Sequence, residues 1–178
     1  PGGLHIFDLE DEEFRVLRED LKSEGSLSSS VIHSLHLSQE TGILWVGTYG
    51  GGLNVYAPKK RKFEVIGPNP YDPGSLSGSP IMDIYEDSKS RIWMASDGGG
   101  LNLYNRERGS FTHYTHNSSD PNSLSSDAVL SISEDTSGNI LLGTWSGGLN
   151  KFDVEEGTWD RYMNILGNKE GFNSVFEV

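Results

Sequence analysis

The chain has 178 residues, 34% of them hydrophobic, with 22 glycines and no cysteine. Fourteen basic residues against 26 acidic ones give a formal charge of −12, which disfavours the basic face that nucleic-acid binding needs. Without cysteine there is neither a disulfide framework nor a thiolate metal site, and no apolar run approaches the ~18–20 residues of a membrane-spanning helix.

In chain order, strand character appears first at 4–7 and 14–17. A unit of four short segments follows, at 32–37, 43–48, 53–56 and 63–66. The unit recurs at 81–85, 92–96, 101–104 and 111–114, and again at 129–132, 140–144, 149–152 and 159–162. Residues 175–178 resemble 129–132 and start another unit. The segments are short for helices and rich in β-branched and aromatic residues, which predicts strands. Between them lie turn formers such as Asp87-Ser88-Lys89-Ser90 and Asp135-Thr136-Ser137-Gly138.

The register of the repeat is tight. Gly-Gly-Leu occurs with its leucine at Leu4, Leu53, Leu101 and Leu149, and an aromatic stands ten residues after each, at Phe14, Phe63, Phe111 and Trp159. A period of about 40–50 residues made of short strands predicts propeller blades; a β-solenoid is the weaker alternative. The fold expected is all-β: a β-propeller segment over 1–178 of consecutive four-stranded antiparallel blades, three of them complete and partial ones at both ends. The repeats run 1–25 (partial), 26–74, 75–122, 123–171 and 172–178, with blades over 27–66, 76–114 and 124–162 and no α-helix longer than about two turns. The first two segments of each unit are apolar on both faces, as inner strands sandwiched between sheets should be. Trp45 and Trp93 are therefore expected in the interior. Both ends of the sequence fall inside a repeat, so it reads as a segment of a longer chain.

The strings 43–54 (Ile-Leu-Trp-Val-Gly-Thr-Tyr-Gly-Gly-Gly-Leu-Asn) and 84–102, with the linkers ending Asp-Pro-Gly-Ser-Leu-Ser (72–77) and Asp-Pro-Asn-Ser-Leu-Ser (120–125), resemble the two-component regulator propeller repeat. The resemblance covers essentially the whole chain. It departs only in the last repeat, where Leu141 replaces the indole of Trp45 and Trp93 and Lys151 interrupts the third segment. It implies a periplasmic sensor region of a bacterial hybrid two-component histidine kinase, anchored in the inner membrane and detecting oligosaccharides, with no enzymatic activity in this segment.

Positions alike in every copy serve the scaffold, and positions that differ between copies are free to recognise a ligand. One slot, immediately before the glycines, holds Tyr49, Asp97 and Trp145. Flat rings cover the C–H face of a sugar, and polar groups meet its hydroxyls. The linkers add Tyr71, Asp72, Asn117 and Asp120, with Asn69, which are expected on the same face. Rim packing and turn formation are the plainer explanations of these residues. The five histidines fall at unrelated places in the repeat; His33 and His36, three apart on a strand, point to opposite faces and cannot share an ion. No catalytic residues, metal site or cofactor are expected. Three functions compete: an oligosaccharide-binding sensor module, a propeller lyase or glycan hydrolase, and a protein-assembly scaffold. The expected partners are an oligosaccharide and either further blades of the same protein or a second copy, 4–17 of one chain against 175–178 of another. Neither nucleic acid nor membrane contact is expected.

Overall fold

The computed structural model describes residues 2–57, 62–163, 175 and 178. No helix forms among them; there are fourteen strands. β1 (Leu4–Phe7) and β2 (Phe14–Leu17) make a two-stranded sheet. Three four-stranded antiparallel sheets follow, each in simple meander order. Blade one is β3 (Ile32–Leu37), β4 (Leu44–Thr48), β5 (Leu53–Tyr56) and β6 (Phe63–Ile66). Blade two is β7 (Ile81–Glu86), β8 (Ile92–Ser96), β9 (Gly100–Asn105) and β10 (Ser110–Tyr114). Blade three is β11 (Val129–Glu134), β12 (Ile140–Thr144), β13 (Gly148–Asp153) and β14 (Thr158–Tyr162). The first strands pack on one another, β3 with β7 and β7 with β11, so they converge on the axis. The chain is a run of β-propeller blades, as its periodicity predicts. The expected strand at 175–178 lies mostly outside the described residues. Val175 itself donates its amide to the carbonyl of Thr144 at 3.0 Å, beside the inner part of blade three.

Alternation along the second strand of each blade builds the core. Trp45 joins Ile81, Ile84, Ile92 and Met94 between blades one and two, while its neighbour Val46 faces Leu4 and Phe63 on the other side. Trp93 likewise packs with Val129, Ile132 and Ile140 between blades two and three. Both indoles are buried, Trp45 at 3% exposure and Trp93 at 0%. Each interface is plugged by a linker leucine, Leu27, Leu76 or Leu124, all almost fully enclosed. The stabilisation lies between sheets, because a single four-stranded sheet has nothing to bury its two apolar faces against.

The Gly-Gly-Leu-Asn motif is a clamp. The first turn glycine has positive φ at Gly50 (76°) and Gly98 (90°), and Ser146 holds the same conformation at 65°. A Cβ on Gly99 would lie 2.7 Å from the Cα of Gly78, so a side chain there would collide with the linker backbone. The asparagine that follows the leucine is fully buried in all three blades, as Asn54, Asn102 and Asn150. Its Oδ1 accepts the linker amide of Ser28 (2.9 Å), Ser77 (3.0 Å) or Ser125 (2.9 Å). The serine hydroxyls donate to the carbonyls of Gly51, Gly99 and Gly147. Each linker is thereby locked to the turn of the blade it leads into.

Candidate functional site

Tyr49, Asp97 and Trp145 follow β4, β8 and β12 directly, so all three stand at the same end of their blades. Their amides donate to the carbonyls of Val31 (3.0 Å), Pro80 (3.2 Å) and Ala128 (2.9 Å). Those acceptors immediately precede β3, β7 and β11, so each slot is held beside the innermost strand. All three residues are exposed, Tyr49 at 61% and Trp145 at 54%. A rigid scaffold thus presents a phenol, a carboxylate and an indole in equivalent positions around one end of the axis.

A second set of variable positions lies beside them. In every blade the pairing of the first two strands slips by one residue at this end, between Ile32 and Ser34, Ile81 and Asp83, and Val129 and Ser131. The residues skipped are His33, Met82 and Leu130. A bulge re-aims a side chain, and His33 is exposed with its ring 5.8 Å from that of Tyr49. The sequence predicts of His33 only that it shares no ion with His36. The available signal was that this position, too, differs in every copy.

The later part of each linker runs away from the slot end. The carbonyl of Gly74 accepts the amide of Phe111 at 2.8 Å, and Asn122 Oδ1 accepts that of Trp159 at 2.8 Å. Those amides belong to the second residues of β10 and β14, near the far end of the outermost strands. Three residues of strand, roughly 10 Å at ~3.3 Å per residue, separate that level from the Tyr114–Leu101 pair nearest the slot end. Gly74 and Asn122, two residues after Asp72 and Asp120, therefore stand at the far end of the outer strands, whereas Asn117 directly follows His116, whose amide donates to Asp127 Oδ1 (2.6 Å) beside the Gly98 turn.

Their polar atoms close turns. Asn69 Oδ1 accepts the Tyr71 amide (3.0 Å) and Asp72 Oδ1 that of Gly74 (2.9 Å). Asn117 Oδ1 accepts from Ser119 (3.0 Å) and Asp120 Oδ1 from Asn122 (2.9 Å). Tyr71 itself is 94% exposed. The physical reason is the burial of Leu76 and Leu124, which draws each linker along the outer edge of the next blade before it returns to the Ser77 and Ser125 clamps. Asn69 and Asp72 line, with His113, a rim cavity of about 530 Å³.

The acidic residues at the turns after β7 and β11 have local partners. Asp87, buried, accepts from Arg91 Nε (2.5 Å) and Trp93 Nε1 (2.7 Å) and from the amides of Lys89 and Arg91. The side-chain amide of Asn139 (2.8 Å), then the backbone amides of Asn139 and Ser137 and the charge of Lys151, hold the Asp135 carboxyl down to about 2. Asp83 takes the amide of Ile132 in the neighbouring blade at 2.8 Å, while burial pushes its pKa up. Among the described residues no cluster of three or more His, Asp or Glu is arranged to hold a metal ion. No helix of the described residues is long and apolar enough to cross a membrane.

Comparison with known proteins places this architecture. The chain is similar to the extracellular domain described as that of the hybrid two component system BT3049 of B. thetaiotaomicron, with 24% identity over 92% of this chain and a TM-score of 0.79. It is also similar to that of BT4673 from the same organism, with 19% identity over 96% and a TM-score of 0.64. A virginiamycin B lyase from Staphylococcus aureus has a related fold, with 17% identity over 74% and a TM-score of 0.56. The chain spans 22% and 30% of the lengths of the first two, and 41% of the third. No curated protein matches it. Residues 75–98, which hold the end of a linker, β7 and β8, match the family model described as two component regulator propeller. That stretch is a two component regulator propeller repeat, and the blades around it repeat its pattern.

Proposed function

We propose that the chain is the ligand-sensing propeller portion of an extracytoplasmic sensor, part of a hybrid two-component histidine kinase and response regulator anchored in the inner membrane of a bacterium. Its ligand is an oligosaccharide that lies across the slot end of the blades. The segment itself binds without turnover and uses no cofactor. The observation that carries this reading is the contrast within each repeat: a buried Asn-Ser clamp common to all three blades, and one exposed position beside it that is Tyr49, Asp97 or Trp145. Rings for C–H faces and a carboxylate for hydroxyls suit a sugar chain laid over several blades. The likeness to extracellular domains of two component systems supports the setting.

Further blades of the same protein or a second copy complete the assembly, because the β1–β2 sheet leaves Phe7 and Phe14 exposed at 46% and 68%. Of the pairing surface expected at 175–178, residues 176 and 177 lie outside the described residues. Sedimentation of the 178-residue chain alone should show self-association at micromolar concentration; a stable monomer argues against pairing between copies.

The test of the ligand is calorimetric titration of the complete sensor region with a panel of polysaccharide fragments. Trp145→Ala and Tyr49→Ala should each weaken binding of the recognised fragment by about tenfold or more, ~1.4 kcal/mol. Unchanged affinity in both variants sinks the proposed face. Release of cleaved product during the titration would instead make the chain part of an enzyme.

A further inference from the structure

Asp97 occupies the middle of the three slots. It forms an antiparallel bridge with Ala128, whose carbonyl accepts the Trp145 amide at 2.9 Å. Asp97 and Trp145 are thus two backbone pairings apart, roughly 10 Å at the ~4.8 Å spacing of paired strands. On its other side the Asp97 amide donates to the carbonyl of Pro80 at 3.2 Å. The hydroxyl of the preceding Ser79 accepts the amide of Gly52, three residues after Tyr49, at 3.1 Å. The Asp97 carboxylate is exposed and makes no hydrogen bond or ion pair among the described residues. Asp127 brings a second negative charge to this end: its carbonyl accepts the Gly98 amide at 3.0 Å, and its Oδ1 accepts that of His116 at 2.6 Å.

The cations stand elsewhere. Lys62, Lys89, Arg91, Arg106 and Arg108 lie on or beside turns at the opposite ends of the strands. Arg161 on β14 is spent on its linker, donating to the carbonyl of Ser123 at 2.7 Å. Arg18 follows β2 at the slot end of the two-stranded sheet, but on its outer strand, where Nε donates to the carbonyl of Gly2 at 3.2 Å. Neither Asp97 nor Asp127 has a lysine or arginine partner among the described residues.

Resting on the reading of this end as the saccharide site, we infer that Asp97 is its charge filter: the slot end takes a neutral glycan and turns away uronic acids and sulfated sugars. A sugar hydroxyl donates to the unpaired carboxylate, and hydrogen bonds to an ionised acceptor are the stronger kind. An anionic substituent in the same place has no proton to donate and meets a like charge, and the repulsion grows as the ligand displaces water. Tyr49 and Trp145 do not make this distinction, because a ring covers the C–H face of a uronate as it does that of a neutral hexose. The rings supply affinity; Asp97 determines specificity.

The test is calorimetric titration of the complete sensor region with paired probes: arabinan, galactan, mannan and glucan fragments, each neutral and with its primary hydroxyls oxidised to carboxylates. At low salt the neutral member of the recognised pair should bind about tenfold or more tighter. Raising the salt to ~1 M, where the Debye length is ~3 Å, should narrow that gap. Asp97→Asn keeps the shape and an acceptor oxygen but removes the charge, and it should narrow the gap by a similar factor at low salt; urea unfolding checks that the variant is folded. A carboxylated member that binds as well as its neutral partner, or a gap left intact by folded Asp97→Asn, overturns the charge filter. If that binding is still weakened by Trp145→Ala and Tyr49→Ala, the saccharide site itself stands. Absence of binding by every probe, neutral or anionic, overturns the inference together with the site.

Discussion

Trp45 and Trp93 occupy the same place in successive blades and are equally buried, yet replacing each by phenylalanine should have different consequences. The substitution removes the same part of an indole from both, so the loss of apolar contact is similar. At Trp93 it also removes a hydrogen bond to a carboxylate, that from Nε1 to Asp87 Oδ2 at 2.7 Å. Bonds to charged groups contribute about 1.5–3 kcal/mol. Asp87 keeps its bonds from Arg91 and the amides of Lys89 and Arg91, so its carboxylate is not stranded and the lower part of that range applies. At Trp45 the lost N–H has no partner, and its removal relieves a desolvation cost of about 1 kcal/mol or more. Trp93→Phe should therefore be the more destabilising by about 2–3 kcal/mol. Replacement by alanine should cost about 3–5 kcal/mol at either site, because there the ring itself dominates. The assay is equilibrium unfolding in urea, with the midpoint compared at constant slope. Equal midpoints for the two phenylalanine variants would falsify the assignment of the Asp87 bond as the distinguishing interaction.

Three other outcomes are expected. Asn102→Ala should destabilise by about 1–3 kcal/mol, since it strands the half-buried amide of Ser77 as well as removing its own bonds; hydrogen exchange should show the protection of the Ser77 amide lost first. Asp135 has a folded pKa of about 2, below its ordinary value of 3.8, so its contribution is complete above pH ~4 and fades as pH falls toward ~2; Asp135→Asn should flatten the urea midpoint over that window and leave the neutral-pH salt dependence small. Trp145→Ala should change stability by no more than about 0.5 kcal/mol, as an exposed side chain outside the core does, and a larger loss on thermal unfolding would make it a packing residue instead of a recognition residue.

The sequence alone determines the blades, because strands and turns are written in local chemistry. The alternation that sends Trp45 and Val46 to opposite sides of one sheet is a period of two, legible without any contact being known. The Gly-Gly-Leu turn is equally local: the positive φ of Gly52, Gly100 and Gly148 and the closeness of Gly99 to Gly78 favour glycine wherever the motif occurs. The position of Tyr49, Asp97 and Trp145 is legible for the same reason, since it stands two residues before the common Gly-Gly-Leu and differs in each copy. What tertiary structure decides is everything set by one blade against the next. Asp72 and Asp120 look alike in a ligand site and in an Asx turn; only the burial of Leu76 and Leu124 between sheets sends their linkers to the outer rim. The buried Asn54, Asn102 and Asn150 read as polar surface until a linker serine from 25 or 26 residues earlier arrives to bond them. The missing partner of the Trp45 indole is a property of the interface, since the side chains that would fill and cap it belong to strands and turns that meet only when two sheets pack.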